Sequence, residues 1–169
     1  MVYLLIFIFG LIIGSFLNVC IYRTPRNESI ICPGSRCTSC KKPIPWYDNI
    51  PLASYLMLRG RCRVCHEKIS FRYFAVELIS AVSFLILYMN FGLNYIFWIY
   101  SLLTFSLIVV TFIDLEFQII PDRISLVGIF AGIILSVSFP GLQSAFTWKR
   151  AFLNSIIVAL AGGGLIYFT

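Results

Sequence analysis

Six residues of this 169-residue chain have the types and spacing to do chemistry. Cys37-Thr-Ser-Cys40 and Cys62-Arg-Val-Cys65 are two C-x-x-C pairs with 21 residues between them. Four thiolates so spaced close a tetrahedral zinc site, and a site made of four cysteines leaves no open coordination position, so its role is folding. Lys41 and His66 follow the two pairs, and neighbouring positive charge favours the thiolate a metal requires. His66 is read as a surface or second-layer residue, while Cys20 and Cys32 lie outside the pattern. A disulfide or redox use of the pairs is the competing chemistry, disfavoured in a reducing compartment and without a thioredoxin-like pattern.

The other two are carboxylates. Asp114 ends an apolar run in Thr111-Phe-Ile-Asp-Leu-Glu-Phe-Gln-Ile-Ile-Pro-Asp-Arg123, with Leu115, Phe117, Ile119 and Ile120 around it in sequence. An acid in a membrane span costs on the order of 3 kcal/mol at the helix centre, which makes it a functional candidate by default. An apolar setting favours the neutral acid, as suits a group that trades a proton. Asp122 follows Pro121, which is placed to open a helix, and an acid in a first turn is favoured by the helix dipole. That setting favours the ionised form, so Asp122 is a weak candidate for the protonated member of an aspartyl pair. Glu116 reads as an interfacial acid, and Glu77 as a partner for Arg72 or a lipid headgroup, with a role in the site as the alternative.

The elements that must position these groups are membrane helices. The chain is 60% hydrophobic and 12% charged, with a mean hydropathy of +0.92, outside the balance of a soluble domain. Apolar runs predict about five transmembrane helices, at 1–20 and near 74–89, 95–113, 124–139 and 151–168. No cleavage site follows the first run, so it reads as a retained anchor. Pairs of small residues four apart, Gly10/Gly14 with Ser15 and Gly128/Gly132, predict close helix packing. Gly162–Gly164 reads equally as a packing face or a flexible point. Residues 21–73 form a Pro-rich insert that is too small to fold without a staple. No internal repeat is evident.

Ten of the 13 basic residues fall between Arg23 and Arg72, which by the positive-inside rule makes the insert cytoplasmic. Lys149 and Arg150 vote the other way. The net charge of +6 clusters beside membrane spans and comes without a nucleic-acid motif, so it reads as a response to anionic lipid and topology, and nucleic acid is not an expected partner.

The chain resembles the type IV prepilin peptidases, the leader peptidases of aspartic family A24. The resemblance rests on Gly14-Ser-Phe-Leu-Asn-Val-Cys-Ile-Tyr-Arg-Thr-Pro25, on Pro33-Gly-Ser-Arg-Cys-Thr-Ser-Cys-Lys-Lys-Pro-Ile-Pro-Trp-Tyr-Asp-Asn-Ile-Pro51, on Cys62–Cys65 with Ile69-Ser-Phe-Arg-Tyr73, and on Asp114 with the Ile-Pro-Asp that follows. It implies an all-α polytopic enzyme of the bacterial inner membrane with a zinc-ribbon-like cytoplasmic insert. That enzyme cuts the leader from prepilins or pseudopilins, and bifunctional members N-methylate the new terminus with S-adenosylmethionine. It further implies that Asp114 is the first catalytic aspartate and that Cys37, Cys40, Cys62 and Cys65 are the family's cysteine tetrad. The family's second aspartate lies in a Gly-x-Gly-Asp motif that these 169 residues do not contain, so the 169 residues alone are expected to be inactive. The reading from another class is a non-catalytic adaptor whose zinc-stapled loop binds pilins or secretion components.

Overall fold

A computed structural model describes residues 1–119, 122–139, 149–150 and 152–158. These divide into two units, within 1–119 and from 120 onward.

In the first unit three long helices form a bundle: α1 (Val2–Arg23), α3 (Phe71–Phe91) and α4 (Tyr95–Phe117). At 1.5 Å per residue their 22, 21 and 23 residues reach roughly 32–35 Å, enough to cross about 30 Å of hydrocarbon. All three are long and apolar enough to span a membrane. The starts of α3 and α4 have local causes. Ser70 Oγ accepts the N–H of Arg72 at 3.3 Å to cap α3, and Asn94 Oδ1 accepts those of Ile96 and Phe97 at 3.1 and 3.3 Å to cap α4. The turn between them includes Gly92, whose φ of +62° belongs to the left-handed region.

The helices meet along stripes at three- and four-residue spacing. Gly10, Gly14, Leu17, Asn18 and Ile21 of α1 are buried, as are Val76, Glu77, Ser80, Ala81 and Phe84 of α3. A Cβ on Gly10 would stand 2.7 Å from Ala81 Cα, and one on Gly14 would stand 2.7 Å from Glu77 Cα. The small-residue pair is thus the α1–α3 crossing itself. Phe84 joins α4 through the rings of Phe97 and Phe105, at centroid distances of 4.8 and 5.6 Å.

Between α1 and α3 runs the insert, with short 3-10 turns at Thr24–Arg26 and Trp46–Asn49 and the five-residue helix α2 (Ala53–Met57). It has two isolated antiparallel bridges, Arg36 with Pro43 and Arg61 with Lys68, and no strands appear among the described residues.

The second unit holds α5 (Asp122–Ser138), 17 residues and apolar but shorter than the three long helices. A Cβ built on Gly128 or Gly132 would meet no other atom within 4 Å among the described residues. The run expected as a fifth helix is described at 152–158, where it is helical, and Ser155 Oγ donates to Ser136 Oγ of α5 at 2.6 Å. Gly162–Gly164 lies outside the described residues.

Candidate functional site

Each cysteine pair sits at the tip of a tight hairpin, and the two hairpins are built alike. In the first, Cys37 N–H donates to Lys42 O at 3.0 Å, Lys41 N–H to Cys37 O at 3.1 Å, and Ile44 N–H to Ser35 O at 2.9 Å. In the second, Cys62 N–H donates to Glu67 O at 2.9 Å, His66 N–H to Cys62 O at 3.0 Å, and Ile69 N–H to Gly60 O at 2.7 Å. Arg36–Ile44 and Arg61–Ile69 therefore repeat one another, a repeat that sequence spacing alone did not disclose because only Arg, Cys, Cys and Ile recur at matching places. Lys41 and His66 occupy the same position of the two hairpins, with φ of 60° and 56°. Their structural part is a left-handed backbone turn, in addition to any effect of charge on the thiolates.

The hairpins bring all four Sγ atoms within 4.8 Å of one another, and Cys37 Sγ lies 3.8 Å from Cys65 Sγ. Four sulfurs about 2.3 Å from a tetrahedral ion stand about 3.8 Å apart, so donor set and spacing fit a tetrahedral metal. The Cys62 thiol is pulled down to about 6, first by the backbone N–H groups of Cys65 and Val64. For Cys65 the backbone N–H of Glu67 acts downward, but desolvation and the neighbouring sulfurs of Cys62, Cys40 and Cys37 outweigh it, and the thiol rises to about 11. Crowded sulfurs hold protons between them, and a bound cation reverses that balance. Cys20 lies half-buried in α1 and Cys32 is exposed in the loop, both apart from the cluster.

The insert is fixed by charges that composition assigned to lipid and topology. Buried Arg23, at the end of α1, donates to the carbonyls of Ser29 (2.8 Å), Pro33 (2.7 Å) and Gly34 (3.1 Å), so it anchors the loop that leads to the first hairpin. Arg63 grips Asp48 with two bonds, Nε to Oδ2 at 2.7 Å and Nη2 to Oδ1 at 2.6 Å. This guanidinium holds the Asp48 carboxyl below its usual range, and the carboxylate raises Arg63 in return. Sequence signalled neither role, because Arg23 takes backbone carbonyls, which every residue carries, and Asp48 and Arg63 lie 15 positions apart. A cavity of about 570 Å³ lies between the insert and the bundle, lined among others by Asn18, Tyr22, Tyr47, Tyr73, Glu77 and Glu116.

Asp114 lies near the C-terminal end of α4, exposed, with its carbonyl accepting the N–H of Gln118 at 2.8 Å. Leu115 and Ile119 beside it in sequence are exposed as well, as side chains facing lipid are. Successive helix positions point about 100° apart, and a neighbour in sequence is not a neighbour in space. Glu116 pairs with Arg72 of α3, whose guanidinium also lies over the Tyr73 ring at 4.9 Å. Glu77 consequently does not take Arg72 as its partner. It is buried in α3, and its Oε2 accepts the N–H of Leu52 at 2.8 Å. Asp122 is the first described residue of α5, and Pro121 lies outside the described residues.

Residues 8–91, which hold most of α1, the complete insert and α3, match the family described as the bacterial peptidase A24 N-terminal domain. Among curated proteins the chain is similar to the prepilin leader peptidase/N-methyltransferase of Myxococcus xanthus, at 43% identity over 146 residues, covering 83% of this chain and 42% of the relative. It is similar to the protein of the same description from Neisseria gonorrhoeae at 37% identity over 175 residues, covering 88% and 61%. The Vibrio cholerae relative is 52% identical over 86 residues, covering 46% and 34%. The chain thus spans less than two thirds of the length of these relatives. No solved structure matches it.

Proposed function

Because this chain belongs, through residues 8–91, to the type IV prepilin peptidase family of bacterial A24 peptidases, we propose that it is the N-terminal part of a prepilin leader peptidase of the inner membrane. The observation that carries this reading is that the matched segment holds the α1–α3 crossing and the four-cysteine insert that runs between the two helices. The insert lies on the cytoplasmic side, where its ten basic residues favour retention.

The reaction is aspartyl hydrolysis of the peptide bond after the leader of a prepilin or pseudopilin. Asp114 supplies one carboxyl group. Its partner is the aspartate of the family's Gly-x-Gly-Asp motif, which is not among these 169 residues. One carboxylate takes a proton from the attacking water while the neutral carboxyl polarises the scissile carbonyl, and the proton ends on the leaving amine. Zinc, held by Cys37, Cys40, Cys62 and Cys65, has the structural role of locking the two hairpins together. The relatives' description includes N-methyltransferase; we extend that activity to the full protein, with S-adenosylmethionine supplying the methyl group.

Prepilin cleavage in membranes containing the full reading frame tests this. Asp114→Asn is expected to lower the rate by at least about a hundredfold, the scale on which a general acid or base contributes, with metal content unchanged. Undiminished cleavage by that variant would remove Asp114 from the mechanism. Capture of a pilin that survives Asp114→Asn but is lost in Cys37→Ser, with no cleavage by the wild type, would favour the adaptor reading.

A further inference from the structure

Between the two hairpins the chain reads Ile50-Pro-Leu-Ala-Ser-Tyr-Leu-Met-Leu58, nine residues without a charge, followed by Arg59 and Arg61. The hydrogen bond from Leu52 N–H to Glu77 fixes where this segment lies. Glu77 is five residues past Arg72 along α3, roughly 8 Å farther along the helix axis. Arg72, paired with Glu116 of α4, marks a charged level at the end of the bundle where α3 begins. A backbone bonded to Glu77 therefore lies alongside the first turns of a spanning helix. The Tyr55 ring packs on Phe74 of α3 at 5.6 Å, which fastens the segment a second time.

Most N–H groups of this segment have a partner. Ile50 N–H donates to Ser54 Oγ at 3.1 Å, Pro51 has no N–H, Leu52 N–H goes to Glu77, and Ala53 and Ser54 donate to the carbonyls of Pro51 and Ile50. Leu56 and Leu58 then donate to Leu52 and Ser54. The open end of a short helix facing water needs no such partners, but one surrounded by lipid does. Leu52 is held at a φ of +56°, left-handed backbone that a leucine seldom adopts, in the geometry that delivers its N–H to the carboxylate.

The outward side of the segment is apolar. Met57 is 82% exposed and Leu56 64%, and Phe71, at the start of α3, is 65% exposed. We propose that Ile50–Leu58 is a re-entrant interfacial segment seated at the boundary between headgroups and acyl chains, with Leu56 and Met57 in lipid and exposed Arg59 and Arg61 at the phosphates. Lipid is the occupant because the face continues the lipid-facing surface of α3 and ends in cations that match anionic headgroups. The insert is thus part of the membrane-bound body of the protein and not a domain tethered above it.

Photo-crosslinking of the full-length protein in native membranes tests this, with a benzophenone amino acid placed at position 56, 57 or 64. Val64 is half-exposed on the second hairpin and serves as the control. Lipid-mass adducts are expected at 56 and 57 at about ten times the yield at 64, as burial at the acyl boundary requires. Equal yields at 57 and 64, or adducts at 57 that are protein and not lipid, would overturn the proposal. Hydroxyl-radical oxidation of Met57 in the unmodified protein in lipid nanodiscs gives a second reading. Oxidation several-fold slower than in the unfolded chain supports lipid cover, and an equal rate refutes it.

Discussion

At the scale of single residues the insert depends on pairings between positions that sequence keeps apart. Asp48 and Arg63 are fifteen residues apart and meet in a two-bonded fork. Because the folded-state value of Asp48 lies below its unfolded value, the pair's contribution to stability is present above the unfolded value, about 3.9 for an aspartate, and is lost as pH falls through the folded value. Asp48→Asn is therefore expected to lower the thermal midpoint near neutrality and to converge with the wild type in acid. Parallel melting curves of the two proteins from pH 7 to pH 3 check this, and a constant gap across that range would show that the fork adds no pH-dependent stability. Arg23 illustrates the same point in another way: its charge is spent on three backbone carbonyls, and no carboxylate is needed for it to hold the loop.

At the scale of elements the two cysteine hairpins and the α1–α3 crossing carry the first unit. Each hairpin supplies two sulfurs, and neither can complete a four-sulfur shell alone. One metal ion per chain is expected by elemental analysis of the purified protein, and Cys40→Ser or strong chelation should release it. The same loss should make the insert sensitive to protease between Arg26 and Lys68 while α3 remains protected. The crossing tolerates no added carbon at Gly14, where a Cβ would meet Glu77 Cα at 2.7 Å and Ser80 Cβ at 3.0 Å. Gly14→Val should thus cost on the order of 1–3 kcal/mol as the helices are forced apart, read as a lower midpoint in detergent unfolding. Gly128→Val, at a position where an added Cβ would meet nothing within 4 Å among the described residues, is the matched comparison and should have the smaller effect.

At the scale of the whole molecule the bilayer is the missing solvent. Side chains such as Leu4, Leu5, Trp98, Leu102 and Leu107 are more than half exposed, a distribution no water-soluble bundle would carry, and one that lipid makes favourable. The charge asymmetry then sets orientation. A reporter fused after Arg36 or Arg63 should report the cytoplasmic side, and one fused at Asn94, between α3 and α4, the opposite side. Agreement of both fusions with a single side would break the three-span topology.

The sequence by itself determined the membrane character, three long spans among the five expected, the four-cysteine cluster and the Gly10/Gly14 packing face. Each follows from local composition or fixed spacing: a run of apolar residues, a C-x-x-C pair, or a four-residue repeat of small side chains has the same meaning wherever the chain folds. The tertiary structure alone decided the partners of the isolated charges. Glu77 takes a backbone N–H and leaves Arg72 to Glu116, Arg23 takes carbonyls, and Asp48 takes Arg63. The likeness of the two hairpins was equally hidden, because it is written in backbone bonds and in left-handed turns at Lys41 and His66, two unlike side chains. Electrostatic pairing and backbone geometry depend on which segments are brought together, and one-dimensional spacing does not encode that for these partners, 6 to 44 positions apart.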